Sequence, residues 1–168
     1  MGGEAVGVSE KAVPDLEVFG FVMGSRPESP AFAPGGRLEI DRGRFAKSAY
    51  EPGGVEMTYP VRDGIFRYKH PEPAFCGWTW VDVNAHYTPR SRRADVLVVQ
   101  EYFYCKAGDL PESTARARMN DLAEAAKALS PDIDASANFQ RLTNQYLVTT
   151  RIEYKPLRAV GAEEARFG

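Results

Sequence analysis

The chain has 168 residues, of which 43% are apolar, and a formal net charge of −2 at pH 7. That length supplies one hydrophobic core of ordinary size and is too short to expect two domains. A nearly neutral, slightly acidic chain has no general attraction to nucleic acid or to an anionic membrane, so neither is an expected partner.

The sequence shows no targeting or membrane-spanning segment. It has no run of about twenty apolar residues, and its first residues lack the basic and apolar regions of a signal peptide. We therefore expect a protein without a secretion signal that is cytoplasmic or part of an assembled particle.

Cysteine and histidine are too sparse for a transition-metal site. Cys76 and Cys105 belong to no close pair, and the two histidines are His70 and His86. The glycine pairs fit neither a Walker phosphate loop nor a dinucleotide fingerprint, because none lies between a strand and a helix with the needed spacing. The sequence predicts no metal and no cofactor, and it favours buried thiols over a disulfide.

The first third of the chain alternates short strands with irregular segments. Residues 1–15 are small, polar and aperiodic, and are predicted to form an N-terminal arm. Residues 16–23 are mostly apolar and predict the first strand. Three prolines and three glycines among residues 24–36 exclude a helix or a central strand, so a long loop is expected there. Further strands are predicted at 55–59 and 64–68, as a hairpin.

Two long strands joined by a basic loop, over residues 75–106, organise the rest of the chain. Aromatic and β-branched residues alternate there with period two. The register that keeps both faces chemically uniform places Asp82 opposite Gln100 and Val83 opposite Val99. One face is then apolar, and the other carries the candidate ligand or partner residues Trp78, Trp80, Asp82, Asn84, His86, Gln100, Tyr102 and Tyr104.

This aromatic and polar face is the main functional candidate. Tryptophan and tyrosine supply large, rigid contact area with a polar group at one end, and they are enriched where proteins bind partners. The face can line a ligand pocket, meet a partner chain, or be covered by residues 24–36. The sequence leaves these three alternatives open.

The loop between the two strands is basic. Arg90, Arg92 and Arg93 lie at its tip, where they can bind phosphate or an acidic surface. The alternative is a solvated turn whose charge protects the sheet from aggregation.

Two carboxylates in the hairpin are candidates for catalysis. Glu101 falls among apolar residues, where burial raises the pKa of an unpaired carboxylate and makes it a possible general base. The alternative is a solvated or arginine-paired position at a strand end or edge. Asp82 and His86 share a face but lie four residues apart, about 13 Å by strand rise, too far for a direct dyad.

One principal helix is predicted at about 110–129. Asp109 and Glu112 form a variant of the capping box at its start. Apolar residues then recur at spacings of three and four, and Ser130 with Pro131 ends the helix. Residues 145–155 predict a last long strand.

Two segments near the end are predicted to be irregular. Residues 132–138 are polar and read as a connection, and residues 157–168 as a charged C-terminal tail.

Consecutive strands with turn signals and one late helix predict a single α+β domain over residues 16–156. We expect a mostly antiparallel sheet of about five to seven strands with the helix packed on one face. The long Gly/Pro-rich stretches at residues 24–36 and 48–54, the polar ends of the chain and the aromatic hairpin with its basic tip favour an interaction role. The working hypothesis is a non-catalytic structural or interaction subunit of a larger assembly, for example a virion or tail component, that acts through these loops, termini and hairpin. Its partners would be other protein chains, including copies of itself. The alternative is a small-molecule-binding protein or small enzyme with the aromatic face as its pocket.

Overall fold

The structure is a computed structural model, which describes residues 9–27, 46–60, 66–68, 78–104, 112–143 and 145–166. The predicted loop beyond residue 27, both cysteines and His70 lie outside these residues. The strands are β1 (Leu16–Val18), β2 (Phe21–Met23), β3 (Ala46–Lys47), β4 (Val55–Pro60), β5 (Trp78–Tyr87), β6 (Ala94–Tyr104), β7 (Ile133–Arg141) and β8 (Gln145–Tyr154). The helices are α1 (Glu112–Arg118), α2 (Asp121–Leu129) and α3 (Lys155–Arg166), with a short 3-10 turn at Glu10–Ala12.

The strands form one six-stranded and one two-stranded sheet, and the α+β fold class is confirmed. The large sheet has the order β3-β4-β5-β6-β8-β7, and every pairing is antiparallel. Strand β6 lies in its middle and pairs with β5 and β8. The predicted hairpin of residues 55–59 with 64–68 is replaced by pairing of β4 with β3 and β5, and residues 66–68 are not in a strand.

The predicted register of the central hairpin is confirmed along most of its length. Asp82 lies opposite Gln100 and Val83 opposite Val99, so the apolar and polar faces separate as expected. A β-bulge near the start of β5 places Trp78 opposite Phe103. A bulge inserts an extra residue on one strand and shifts the pairing beyond it.

The segment predicted as a first strand is a tight hairpin. Its turn residues, Phe19 and Gly20, have φ values of 50° and 93°, the left-handed pair that a two-residue type I′ turn requires. The Phe19 carbonyl accepts a hydrogen bond from the Arg67 N–H at 2.7 Å. The Phe19 ring contacts the rings of Phe66 and Tyr68. These contacts hold a bulky residue in a conformation that glycine adopts more easily.

The core lies between one face of the large sheet, α2 and the β1–β2 hairpin. Phe21 and Met23 from the hairpin, Leu97 and Val99 from β6, and Leu122 from α2 are completely buried in a single cluster. Burying each such side chain contributes about 1.5–3 kcal/mol to folding. The hairpin and α2 therefore cover the apolar face that the sequence predicts.

The predicted principal helix is divided into α1 and α2. Met119 and Asn120 form a turn between them, and the Glu124 N–H bonds to the Asn120 carbonyl to start the second helix. Leu122, Ala123 and Ala126 are the buried residues of α2, which packs mainly on β7.

The stretch predicted as a charged tail instead forms α3, and the polar connection forms most of β7. Pro156 lies in the first turn of α3, where proline is tolerated, and Leu157 and Val160 are buried. In β7 the alternation of buried and exposed residues begins at Ile133, which is 4% exposed. Within the residues described here, no helix is long and apolar enough to cross a membrane.

Residues 9–15 of the predicted arm pack against the domain. Val13 is buried in the main core cluster, and the Pro14 carbonyl accepts the Tyr154 hydroxyl at 2.8 Å. This part of the arm is therefore held by the fold itself.

Candidate functional site

The face of the large sheet opposite α2 carries a patch of half-buried polar residues that spans four adjacent strands. We call this patch the polar sheet face. Its members are Glu56, Thr58, Asp82, Asn84, Gln100, Tyr102, Thr149 and Arg151. Trp78, Trp80 and Tyr104 lie in β5 and β6, but their side chains lie outside the described part of the structure.

Register brings the predicted polar residues together. Gln100 lies opposite Asp82 on β5 and opposite Thr149 on β8. The Asn84 side-chain amide donates to Glu56 at 2.6 Å and to Thr58 at 3.3 Å. The face thus carries polar groups over about 14 Å between its outer strands.

Tyr102 keeps its proton at neutral pH. Burial and the nearby charge of Asp82 both raise the pKa of its phenol. Tyr102 and Asp82 therefore place a protonated phenol and a carboxylate close together on this half-buried face.

His86 differs from the other predicted face residues because it is buried. Its ring is 1% exposed and meets the Tyr50 ring edge-on at 4.8 Å. Burial lowers the pKa of His86 to about 4, with a smaller opposing effect of the Glu56 charge. The imidazole is therefore neutral at pH 7 and does not belong to the accessible surface.

Ser48 and His86 lie within hydrogen-bond distance, and the serine oxygen is also held by the backbone of the following turn. The Ser48 hydroxyl is 2.7 Å from His86 Nδ1, and its oxygen accepts the N–H groups of Tyr50 and Glu51 at 3.1 and 2.7 Å. Two backbone donors occupy the two lone pairs of a hydroxyl oxygen, so its proton is donated to Nδ1. The serine fixes a turn and sets the histidine tautomer.

A buried acid pair lies close to this turn and was not predicted from the sequence. Glu51 and Asp95 are 1% and 0% exposed, and Glu51 lies close enough to Asp95 to raise the pKa of its carboxyl group. Arg158 of α3 reaches Glu51 Oε2 at 3.2 Å and the Tyr50 carbonyl at 2.8 Å. Burial, together with the neighbouring Glu51, holds the pKa of Asp95 far above its usual range, so the pair keeps a proton.

Gly161 of α3 makes room for this pair. A Cβ at Gly161 would lie 2.6 Å from Oε2 and 2.7 Å from Cδ of Glu51. Alanine normally stabilises a helix interior by about 0.5–1 kcal/mol relative to glycine. Here we expect Gly161→Ala to lower the free energy of unfolding by about 1–3 kcal/mol, because a buried carboxyl must move.

Urea unfolding of a double-mutant cycle checks this expectation. Glu51→Ala removes the obstructing group, so Gly161→Ala should regain its ordinary helix-stabilising effect in that background. Ala162→Gly, at an exposed neighbouring position, reports the helix propensity alone. A gain in stability from Gly161→Ala in the natural background would contradict the close packing described above.

The basic loop, residues 88–93, does not act as one exposed cluster. Arg93 is 6% exposed, which corrects the prediction that it lies at an open tip, whereas Arg90 and Arg92 are exposed. Glu164 of α3 accepts the N–H groups of Arg90 and Ser91 at 3.2 and 2.9 Å. An internal carboxylate therefore occupies the backbone donors that an external anion would use.

Arg93 ties the loop to the N-terminal part of the chain. Its guanidinium donates to the carbonyls of Gly24 and Glu10 and to Asp15 Oδ1, the last at 2.7 Å. A fixed fork of donors suits several acceptors in one plane, so the side chain acts as a structural clamp.

Glu101 is buried in the middle of the sheet. It is 1% exposed and lies between Val81 on β5 and Val148 on β8, so a solvated strand-end position is wrong. Burial raises the pKa of Tyr68, and the negative charges of Asp121 and Glu101 raise it further. A base at this position is enclosed by the core face and has no access to a substrate from solvent.

The chemistry of the described residues does not assemble a metal centre. Among them, no three potential ligands from histidine, cysteine, aspartate and glutamate are grouped to hold an ion.

Comparisons with protein-family models, curated proteins and solved structures find no match to this chain. Its function must therefore be inferred from its own geometry.

Proposed function

We propose that the protein is a non-catalytic subunit of a multi-chain assembly and binds other protein chains, including copies of itself, through the polar sheet face. The observation that supports this most directly is the half-exposed position of polar groups on four adjacent strands, opposite the packed core face. A virion or tail particle is one assembly of this kind.

The groups that resemble catalytic machinery support the same proposal. Ser48 and His86 are bonded to each other and to backbone, the pair of Glu51 and Asp95 is sealed under α3, and Glu101 is in the core. Each is committed to an internal contact. By contrast, the residues of the polar sheet face are half-exposed even where they bond to one another, so the face lies where a partner chain can reach it.

The mass of the purified protein in solution tests the proposal. We expect light scattering to show multiples of the 18.6 kDa chain, and Gln100→Arg to reduce the assembled fraction at least tenfold by placing a long charged group in the middle of the face. Ala162→Arg adds the same charge at an exposed position of α3 and should leave assembly unchanged.

Circular dichroism of each variant establishes that the fold is retained. A protein that stays at 18.6 kDa at all concentrations, with no effect of Gln100→Arg, would contradict the proposal. A monomer whose Tyr102 and Asn84 resonances shift on addition of small polar ligands would support the pocket alternative instead.

A further inference from the structure

Strand β7 forms one edge of the six-stranded sheet. Its nine residues, Ile133–Arg141, pair with β8 in an uninterrupted register. Among the residues that the structure describes, no strand pairs with its other side. At the opposite edge of the sheet, β3 has only two residues.

The outward-facing backbone groups of β7 can be assigned from its two ends. The Lys155 N–H bonds to the Asp132 carbonyl at 2.9 Å, and the Leu142 N–H bonds to the Gln145 carbonyl at 2.8 Å. Even-numbered residues thus bond to β8. Because hydrogen-bonded and non-bonded positions alternate in an antiparallel pair, the N–H and C=O groups of Ala137 and Phe139 face away from β8.

A side-chain contact supports this assignment independently. The Ala135 N–H donates to Asp134 Oδ1 at 3.0 Å. An N–H that bonds to the preceding side chain is not directed into the ladder with β8, as expected for an odd-numbered residue. Asp134 therefore satisfies one outward-facing donor of the edge.

The edge lacks most of the features that prevent strands from pairing between molecules. Natural edges are short, contain proline or central charges, or are bent by bulges. Residues 135–140 contain no charge and no proline, and the register shows no bulge. The helix packed on β7 also ends in Leu129, whose side chain is 45% exposed and adds apolar surface nearby.

We propose that β7 pairs antiparallel with β7 of a second copy, about a two-fold axis at Ala137, to make one continuous sheet from two molecules. This inference rests on the proposed function and specifies one partner. The register centred on Ala137 overlaps the whole strand and joins the outward-facing groups of odd-numbered residues in about six interstrand hydrogen bonds. It also keeps the core and polar faces of both copies on the same sides.

The side chains are compatible with this self-pairing. On the core face, the small Ala135 lies opposite the large Phe139 of the second copy. On the other face, Ser136 lies opposite Asn138, and both are exposed in one chain and able to hydrogen bond across the axis. A one-residue slip would place Ser136 opposite Phe139 and mix the two faces.

The first test removes an outward-facing donor. Ala137→Pro deletes an N–H that does not bond to β8, so the chain should keep its fold and lose its dimer. Light scattering is expected to show the mass fall to that of the particle which the polar sheet face alone can form, with unchanged circular dichroism. A folded Ala137→Pro variant with the same mass as the natural protein would overturn the inference.

A charge pair gives a second test with a matched control. S136K/N138K places like charges opposite each other across the axis and should weaken the dimer at least tenfold, whereas S136K/N138D places opposite charges there and should preserve it. Both variants alter the same two exposed positions. Equal dimerisation of the two would contradict this register.

Failure of this inference is distinguishable from failure of the proposed function. If β7 variants leave the mass unchanged while Gln100→Arg reduces it, the edge contact is wrong and the proposed interaction face stands. If the protein is monomeric with every variant, both are wrong.

Discussion

Replacing Arg93 with methionine is expected to lower the free energy of unfolding by about 2–4 kcal/mol. The guanidinium supplies donors to the carbonyls of Gly24 and Glu10, which lose their partners, while Asp15 is 59% exposed and can be hydrated. The loss therefore comes mainly from the two carbonyls and from the detached N-terminal segment. Urea unfolding at pH 7 measures it.

Arg92→Met is the matched control for this prediction. Arg92 is adjacent in the basic loop but exposed, so its replacement should change stability by less than about 0.5 kcal/mol. Limited proteolysis should also show earlier cleavage within residues 9–24 of the Arg93→Met variant alone. Equal loss of stability in both variants would show that charge in the loop, and not the clamp, is what matters.

Replacing Asp95 with asparagine is expected to stabilise the protein above about pH 7. The folded state keeps a proton on the buried acid pair, whereas an unfolded aspartate releases its proton near pH 4. The stability contributed by the protonated Asp95 is complete below that pH and falls, by about 1.4 kcal/mol per pH unit, as the pH rises toward the raised folded pKa. Asparagine can donate to Glu51 without a titrating proton, so this loss of stability with rising pH is removed.

The contribution of His86 to stability changes with pH in the opposite direction from that of Asp95. Its folded pKa of about 4 lies below the usual value of 6.5, so its contribution is present above pH 6.5 and is lost as the pH falls toward 4. In the natural protein, the two slopes oppose each other between pH 4 and 6.5, and stability declines above 6.5. In Asp95→Asn, stability should rise from pH 4 to 6.5 and then level off.

Urea unfolding between pH 4 and 9 measures both profiles. Glu17→Gln, which removes an exposed carboxylate of β1, should retain the natural profile. Parallel pH profiles for the natural protein and Asp95→Asn would contradict a proton held in the folded pair.

The fold class and the central hairpin could be predicted because their evidence is local. Alternation along β5 and β6 places apolar residues on one face and polar residues on the other. Only a register that keeps each face uniform preserves this separation, and that register sets Asp82 opposite Gln100. The β1–β2 turn left a weaker signal in Gly20, because Phe19 adopts a conformation that bulky residues seldom adopt.

The missed elements contain residues with weak or contrary local preferences. β7 uses Ala135, Ala137 and Asn138, which have low strand propensity, and is ordered by pairing with β8. In α3, Gly161 argues against a helix in isolation, yet the burial of Leu157 and Val160 and the contact of Arg158 with Glu51 stabilise it.

The corrections at the candidate site arise from contacts between distant segments. His86 follows the polar alternation of β5 but is covered by Tyr50, 36 positions earlier in the chain. Arg93 belongs to a basic run whose charge suggests solvent exposure, but Glu10 and Asp15 enclose it. No periodicity within either strand reports such tertiary contacts.

The basic loop has a mechanical consequence for the whole domain. It bonds to Glu10, 83 residues before Arg93, and to Glu164, 73 residues after Ser91. A pulling force applied to residues 9 and 166 would therefore load these side-chain contacts. The side-chain contacts of the loop, rather than strand pairing alone, therefore link the two ends of the described chain.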